Sequence, residues 1–288
     1  METKKMNHQT QWRLGKAKQI AALYAQNPKL CALVVAGSVA RGWADEWSDV
    51  ELDLFWNEPP TDDDRKRVIA AVNGEIEYYF PLEGFEWSDA YLVDGLKVEV
   101  SSFLAATIDE LIRVVIQEYD TDTDKQLRFA ALQNSIPLHG AEQIAAWRAK
   151  LAHYPDELVC RVIAENIEFG GWNSVEMLFE RGDILLAYDL LVKTQKQVLA
   201  VLLALNRMWM AHPRGKWLVQ VADAMKYKPA RLAERMMFAL RDGSVQGARE
   251  MHAVIEETFA LVEKHFPDMD LTAAKREARF RRARITKP

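Results

Sequence analysis

The sequence predicts an α+β protein in two parts, a mixed α/β unit over residues 1–120 and an all-helical unit over residues 121–288. Three observations carry that prediction. Short runs with strand character alternate with helical segments between Leu30 and Phe103. From Thr107 onward strand patterning stops and amphipathic helical segments follow one another. A chain of 288 residues, 49% hydrophobic and 27% charged, has enough length and apolar content for two globular cores.

Taken in order, Thr10 to Gln26 places apolar residues at helical spacing, and Asn27-Pro28 ends that helix. Leu30 to Ala36 is a continuous apolar run bounded by a glycine, as expected of a buried strand. Asp49 to Trp56 alternates, with Val50, Leu52 and Leu54 on one face and Asp49, Glu51 and Asp53 on the other. A helix follows near Thr61 to Val72, then strands at Glu75 to Phe80, Trp87 to Val93 and Leu96 to Phe103. Asp94-Gly95 between the last two tolerates the positive φ angles of a tight hairpin. The helical segments beyond are broken at Pro137, Pro155, Gly170-Gly171, Pro213 to Gly215, Pro229, Gly243 and Pro267. No Gly/Ser/Pro-rich linker marks the boundary, so a helix is expected to bridge the two units.

Charge and composition narrow the function. The net charge is -5, and seven of the 37 lysines and arginines crowd into the last 14 residues, which leaves an acidic body. A long nucleic acid, held mainly by cation–phosphate contacts, is not an expected partner. Cys31 and Cys160 are far apart and lack metal-ligand spacing, which suits free thiols in a reducing cytoplasm. His139, His153, His212, His252 and His265 show no zinc spacing, and no Gly-x₄-Gly-Lys-Ser/Thr loop is present. The longest apolar run, Val198 to Leu205, is too short to span a bilayer, and the first residues lack the apolar stretch of a signal peptide. A cytoplasmic protein without membrane attachment is expected.

The informative stretch is Ala36-Gly37-Ser38-Val39-Ala40-Arg41-Gly42 followed by Ser48-Asp49-Val50-Glu51-Leu52-Asp53. A buried strand that ends in Gly-Ser and enters a short helix presents backbone N–H groups and a hydroxyl to phosphate. After a ten-residue gap from Ser38 the alternating strand delivers Asp49 and Glu51 to one face, hard oxygen donors suited to Mg²⁺. Glu99, in Lys97-Val98-Glu99-Val100, supplies a third carboxylate if its strand neighbours the first. Glu77 is the rival for that place, and Glu51 with Asp53 is the alternative to the Asp49–Glu51 pair.

This pattern resembles the DNA polymerase β-like nucleotidyltransferase superfamily, whose signature is a hydrophobic residue, Gly, Gly or Ser, a short gap and Asp-h-Asp/Glu-h. Within it the chain looks most like the two-domain bacterial antibiotic nucleotidyltransferases of the aminoglycoside and lincosamide type. The resemblance implies a polymerase β-like nucleotidyltransferase domain followed by a helical substrate-binding domain, one or two Mg²⁺ ions, ATP or another NTP, and a small-molecule hydroxyl acceptor. It implies Asp49, Glu51 and Glu99 as catalytic and metal-binding residues, and Gly37, Ser38, Arg41, Ser48 and Lys193 as candidates for holding the nucleotide. Ser48 also reads as a turn cap, and Arg41 as a surface arginine. Lys193 belongs to a polar stripe with Tyr188, Asp189 and Gln197 that could form a substrate wall, while an ordinary i,i+4 salt bridge between Asp189 and Lys193 is the favoured reading. A protein-modifying (AMPylating) enzyme of the toxin–antitoxin kind and a non-catalytic nucleotide-binding relative are the alternatives.

Overall fold

A computed structural model describes residues 6–212, 215–281 and 285. The first five residues, the expected break at Pro213, and Arg282, Arg284 and Lys287 of the basic tail lie outside the described residues. The protein is α+β. The first unit comprises Met1–Glu118 and Arg128–His153, and the second comprises Tyr119–Leu127 and Tyr154–Pro288.

The first unit holds α1 (His8–Tyr24), β1 (Leu30–Val35), α2 (Gly37–Arg41), β2 (Val50–Trp56), α3 (Asp62–Ala71), β3 (Glu75–Tyr79), β4 (Trp87–Val93), β5 (Leu96–Leu104) and α4 (Ala105–Gln117). It closes with the latter part of α5 (Thr123–Asn134), then β6 (Ile136–His139) and α6 (Ala141–Leu151). Its six-stranded sheet runs β3-β4-β5-β2-β1-β6 and is mixed: β2 and β5 are parallel, every other pair antiparallel. The β4–β5 hairpin turns at Asp94 and Gly95, with φ of 52° and 77°, as the Asp-Gly pair predicts. Thr61 closes a capping box with Asp64 at the start of α3.

Strand patterning does not stop at Thr107. Ile136–His139 forms an edge strand antiparallel to β1, so the first unit runs past residue 120. Four residues containing Pro137 read as a helix break in sequence. Pro lacks a donor N–H and is tolerated at a sheet edge, where no further strand needs it.

The alternation in β2 divides the sheet into two faces. Val50, Leu52, Leu54 and Trp56, with Val98 and Val100 of β5, are buried against Ala17, Ile20 and Tyr24 of α1 and Val68 and Ile69 of α3. Arg65 of α3 reaches through this layer to Asp89 of β4, and both side chains are almost fully buried. The guanidinium also donates to the Phe80 carbonyl at 2.6 Å and lies 3.9 Å from the Tyr79 ring centroid. The other face carries Glu51 and Asp53, then Phe55, which packs against Phe103 and the edge of Trp147 in α6. One face of the sheet is therefore hydrophobic core, and the other turns from polar to aromatic along β2.

The second unit contains α7 (Asp156–Asn166), α8 (Val175–Arg181), α9 (Ile184–Leu205), α10 (Leu218–Ala224), α11 (Leu232–Asp242), α12 (Val245–His265) and α13 (Thr272–Arg279). Its axis is α9, buried continuously from Val198 to Leu205 and packed on α7, α8 and α12. Burying that run inside a bundle explains why it is apolar on all sides. Among the described residues no helix is long and apolar enough to cross a membrane. Both cysteines are free and half-buried rather than enclosed.

Candidate functional site

The site grows from the turn between β1 and α2. The Ala36 N–H donates to the Glu51 carbonyl at 2.9 Å, the last rung between β1 and β2. Gly37 then takes φ of +61°, a left-handed conformation that glycine adopts without steric cost. The Glu51 carboxylate fills the space beside it: a Cβ on residue 37 would stand 2.7 Å from Oε2 and closer still to Oε1. Gly37 is thus required twice, by its backbone angle and by the acid it faces.

Ser38 follows, buried at 5% exposure, and its carbonyl accepts the Trp43 N–H at 2.9 Å. Arg41 ends α2, and its guanidinium lies 5.7 Å from the Trp43 ring centroid. Burial lowers the Arg41 pKa, and the negative charge of Glu51 acts against that shift. Arg41 is therefore electrostatically coupled to Glu51 and half-buried rather than a surface arginine.

Asp49 lies one residue before β2 and is half-buried. The loop that leads to it is pinned by α1: Arg13 Nε donates to the Ser48 carbonyl at 2.6 Å, and Asn7 to the Ala44 carbonyl at 2.9 Å. The Ser48 hydroxyl donates to Asp45 Oδ1 at 2.8 Å and accepts the Asp45 N–H at 3.0 Å, so it closes this turn.

On the parallel neighbour β5, Glu99 pairs in register with Glu51, which brings the two acids side by side on one face. Lys97, two residues earlier on the same face of β5, holds the Glu99 carboxylate at 2.7 Å and also approaches Glu77 at 3.6 Å. Glu77 itself is exposed on β3 at the sheet edge. Among the described residues no three His, Cys, Asp or Glu side chains are gathered as a metal-holding group. The expected trio of Asp49, Glu51 and Glu99 thus stands as carboxylates of one sheet face rather than one closed ligand set, and the Lys97 ammonium accounts for where the third one points.

Asp53 continues the same face inward and is 7% exposed. Burial pushes its pKa up to about 7, an effect opposed by the Arg128 charge and reinforced by Glu86. Arg128 of α5 forms an ion pair with Glu86, and its guanidinium lies 5.2 Å from the Phe103 ring centroid. Glu86 and Arg128 are part of this polar face, yet nothing local in the sequence marks them. Ser101 of β5 lies opposite Asp53 and Ser88 of β4 opposite Ser101, so the in-register strands continue the polar strip.

Lys193 belongs to α9 in the second unit, where it is exposed. The expected i,i+4 bridge with Asp189 is not formed among the described residues; both side chains line a cavity of that unit.

Residues 121–218 match a family described as a domain of unknown function (DUF4037). No curated protein matches the chain. The chain is similar to the crystal structure of a nucleotidyltransferase-like protein from Exiguobacterium sibiricum 255-15, at 12% identity and a TM-score of 0.38. That similarity covers 86% of this chain and 73% of the other.

Proposed function

We propose that the chain is a Mg²⁺-dependent nucleotidyltransferase that moves a nucleoside monophosphate, AMP from ATP, to the hydroxyl of a small molecule. The observation that carries this reading is the Glu51 carboxylate lying against Gly37 at the β1–α2 turn, with Glu99 in register beside it on β5. A phosphate-seating turn and a strand of acids are thereby joined in one place.

The donor set fits Mg²⁺. The ion commonly takes one or two protein carboxylates and completes its shell with water and substrate phosphate oxygens. Asp49 and Glu51 alternate onto one face of the β2 entry and would hold it; Asp53, next along, is buried deeper in the sheet. Bound there, Mg²⁺ supplies charge stabilisation to the transferring phosphoryl group.

The chain's own residues do the rest. Gly37 lets the triphosphate approach the backbone, and Ser38 offers a hydroxyl beside it. Arg41, coupled to Glu51, adds positive charge for the phosphate oxygens. Glu99 takes the proton of the acceptor hydroxyl as its oxygen bonds to the α-phosphorus. The bond from the α-phosphorus to the bridging oxygen breaks, and pyrophosphate leaves. The acceptor class implied by the sequence resemblance is an antibiotic of the aminoglycoside or lincosamide type, and the net charge of -5 favours a cationic one.

The test is incubation with labelled NTPs and pooled hydroxyl compounds, read by mass spectrometry. A small molecule heavier by one nucleoside monophosphate, with pyrophosphate released, is expected. Label on a protein alone would replace this acceptor class with a protein hydroxyl, and no pyrophosphate from any NTP would refute transfer.

A further inference from the structure

The second unit contains a cavity of about 310 Å³ whose described lining residues belong to that unit. Its floor is aliphatic, with Leu199, Leu203 and Val221 less than a tenth exposed. Its rim is cationic: among the described lining residues are three exposed lysines, Lys193, Lys196 and Lys216, and one aspartate, Asp189. Among the described residues Asp189, Lys193 and Lys196 form no ion pair, and Lys216 lies 4.7 Å from the Trp217 ring centroid. On a chain of net charge -5, three lysines against one aspartate around an apolar hollow are a local reversal of sign.

We propose that this cavity binds a small molecule with an apolar body and an anionic headgroup, a carboxylate or phosphate monoester. The body displaces water from the aliphatic floor, and the headgroup meets the lysine rim. Single ammonium groups suit a headgroup of this kind. A triphosphate is usually cradled by successive backbone N–H groups, whereas α9, which supplies Asp189, Lys193, Lys196, Leu199 and Leu203, spends its interior N–H groups on its own helix. The matched family segment, residues 121–218, contains every lining residue except Val221. Binding in this cavity does not depend on nucleotidyl transfer.

The experiment is a fluorescence titration of the full chain with 8-anilinonaphthalene-1-sulfonate, an aromatic body bearing one anion. Saturable binding that weakens with salt is expected. The Lys193→Gln/Lys196→Gln variant should lose about fivefold or more in affinity, within the range of two solvent-exposed charge contacts. Lys264→Gln, on α12 and not among the described lining residues, should bind as the parent does. The neutral dye N-phenyl-1-naphthylamine should bind more weakly. Equal affinity for the two dyes, or no loss in the double lysine variant, would overturn the proposal. So would competitive displacement by Mg-ATP, which would assign the rim to the nucleotide. Because the readout requires no turnover, its failure is distinct from failure of the transferase reading.

Discussion

Replacing Gly37 by alanine separates the two demands placed on that residue, and Gly42 provides the control. Both glycines have positive φ, +61° and +73°. An alanine in the left-handed region costs about 1–2 kcal/mol at either position. At 2–4 °C per kcal/mol for a protein of this size, each variant should melt about 2–8 °C below the parent. The surroundings differ. A Cβ at residue 42 meets nothing within 4 Å, whereas at residue 37 it falls on the Glu51 carboxylate. That carboxylate is the far end of a flexible side chain and can swing aside, so the extra cost lies in the acid's position rather than in stability. Gly37→Ala should therefore melt near Gly42→Ala but bind Mg-ATP about 10–100-fold more weakly, the scale seen when the support of a metal ligand is disturbed. Differential scanning fluorimetry and calorimetric titration read the two quantities. Shortening the acid as well, in Gly37→Ala/Glu51→Asp, should leave the melting temperature near that of Gly37→Ala, because the backbone cost at φ of +61° remains. Equal nucleotide affinity in the two glycine variants would refute the claim that Gly37 positions Glu51.

Three further outcomes follow from the geometry. Burial raises the Asp53 pKa from its ordinary 3.8 to about 7, so between those values the folded chain keeps a proton that the unfolded chain has lost. Stability from this group is therefore full below about pH 4 and falls as pH rises to about 7; Asp53→Asn should gain up to about 4 kcal/mol at pH 8 and little at pH 4, and urea melts with parallel pH slopes would contradict this. Arg65→Met leaves Asp89 buried without its partner and should cost about 3–5 kcal/mol, whereas Arg65→Met/Asp89→Leu should cost less; a larger loss in the double variant would count against the pairing argument. Glu99→Gln should lower kcat by about 10²–10⁴-fold while changing ATP affinity far less, since help from a general base is felt in the transition state; an equal loss in both would make Glu99 a binding group instead.

Local chemistry made much of the first unit legible. The Asp94-Gly95 hairpin, the helix beginning near Thr61 and the alternation of β2 each depend on neighbouring residues, and each forms as the sequence predicts. β6 was hidden because four residues with a proline carry too little pattern, and only pairing with β1, about a hundred residues earlier, makes them a strand. Asp49, Glu51 and Glu99 could be nominated from spacing, but the in-register parallel pairing of Glu51 with Glu99 is a property of the whole sheet. The polar strip around Asp53 was illegible for the same reason, since Glu86 and Arg128 reach it from distant parts of the chain. In the helical unit, Asp189 and Lys193 have the spacing of an ordinary salt bridge, and only the packing of α9 shows both facing a cavity instead.

Glu51, set against Gly37, is proposed to help hold the metal that fixes a nucleotide. Calorimetric titration of ATP into the parent chain and into Glu51→Gln, each with Mg²⁺ and with EDTA, tests it most directly. Tight binding is expected only for the parent with Mg²⁺, and near-baseline heats in the other three titrations. Equal ATP affinity in EDTA and in Mg²⁺, or an unchanged affinity in Glu51→Gln, would contradict it.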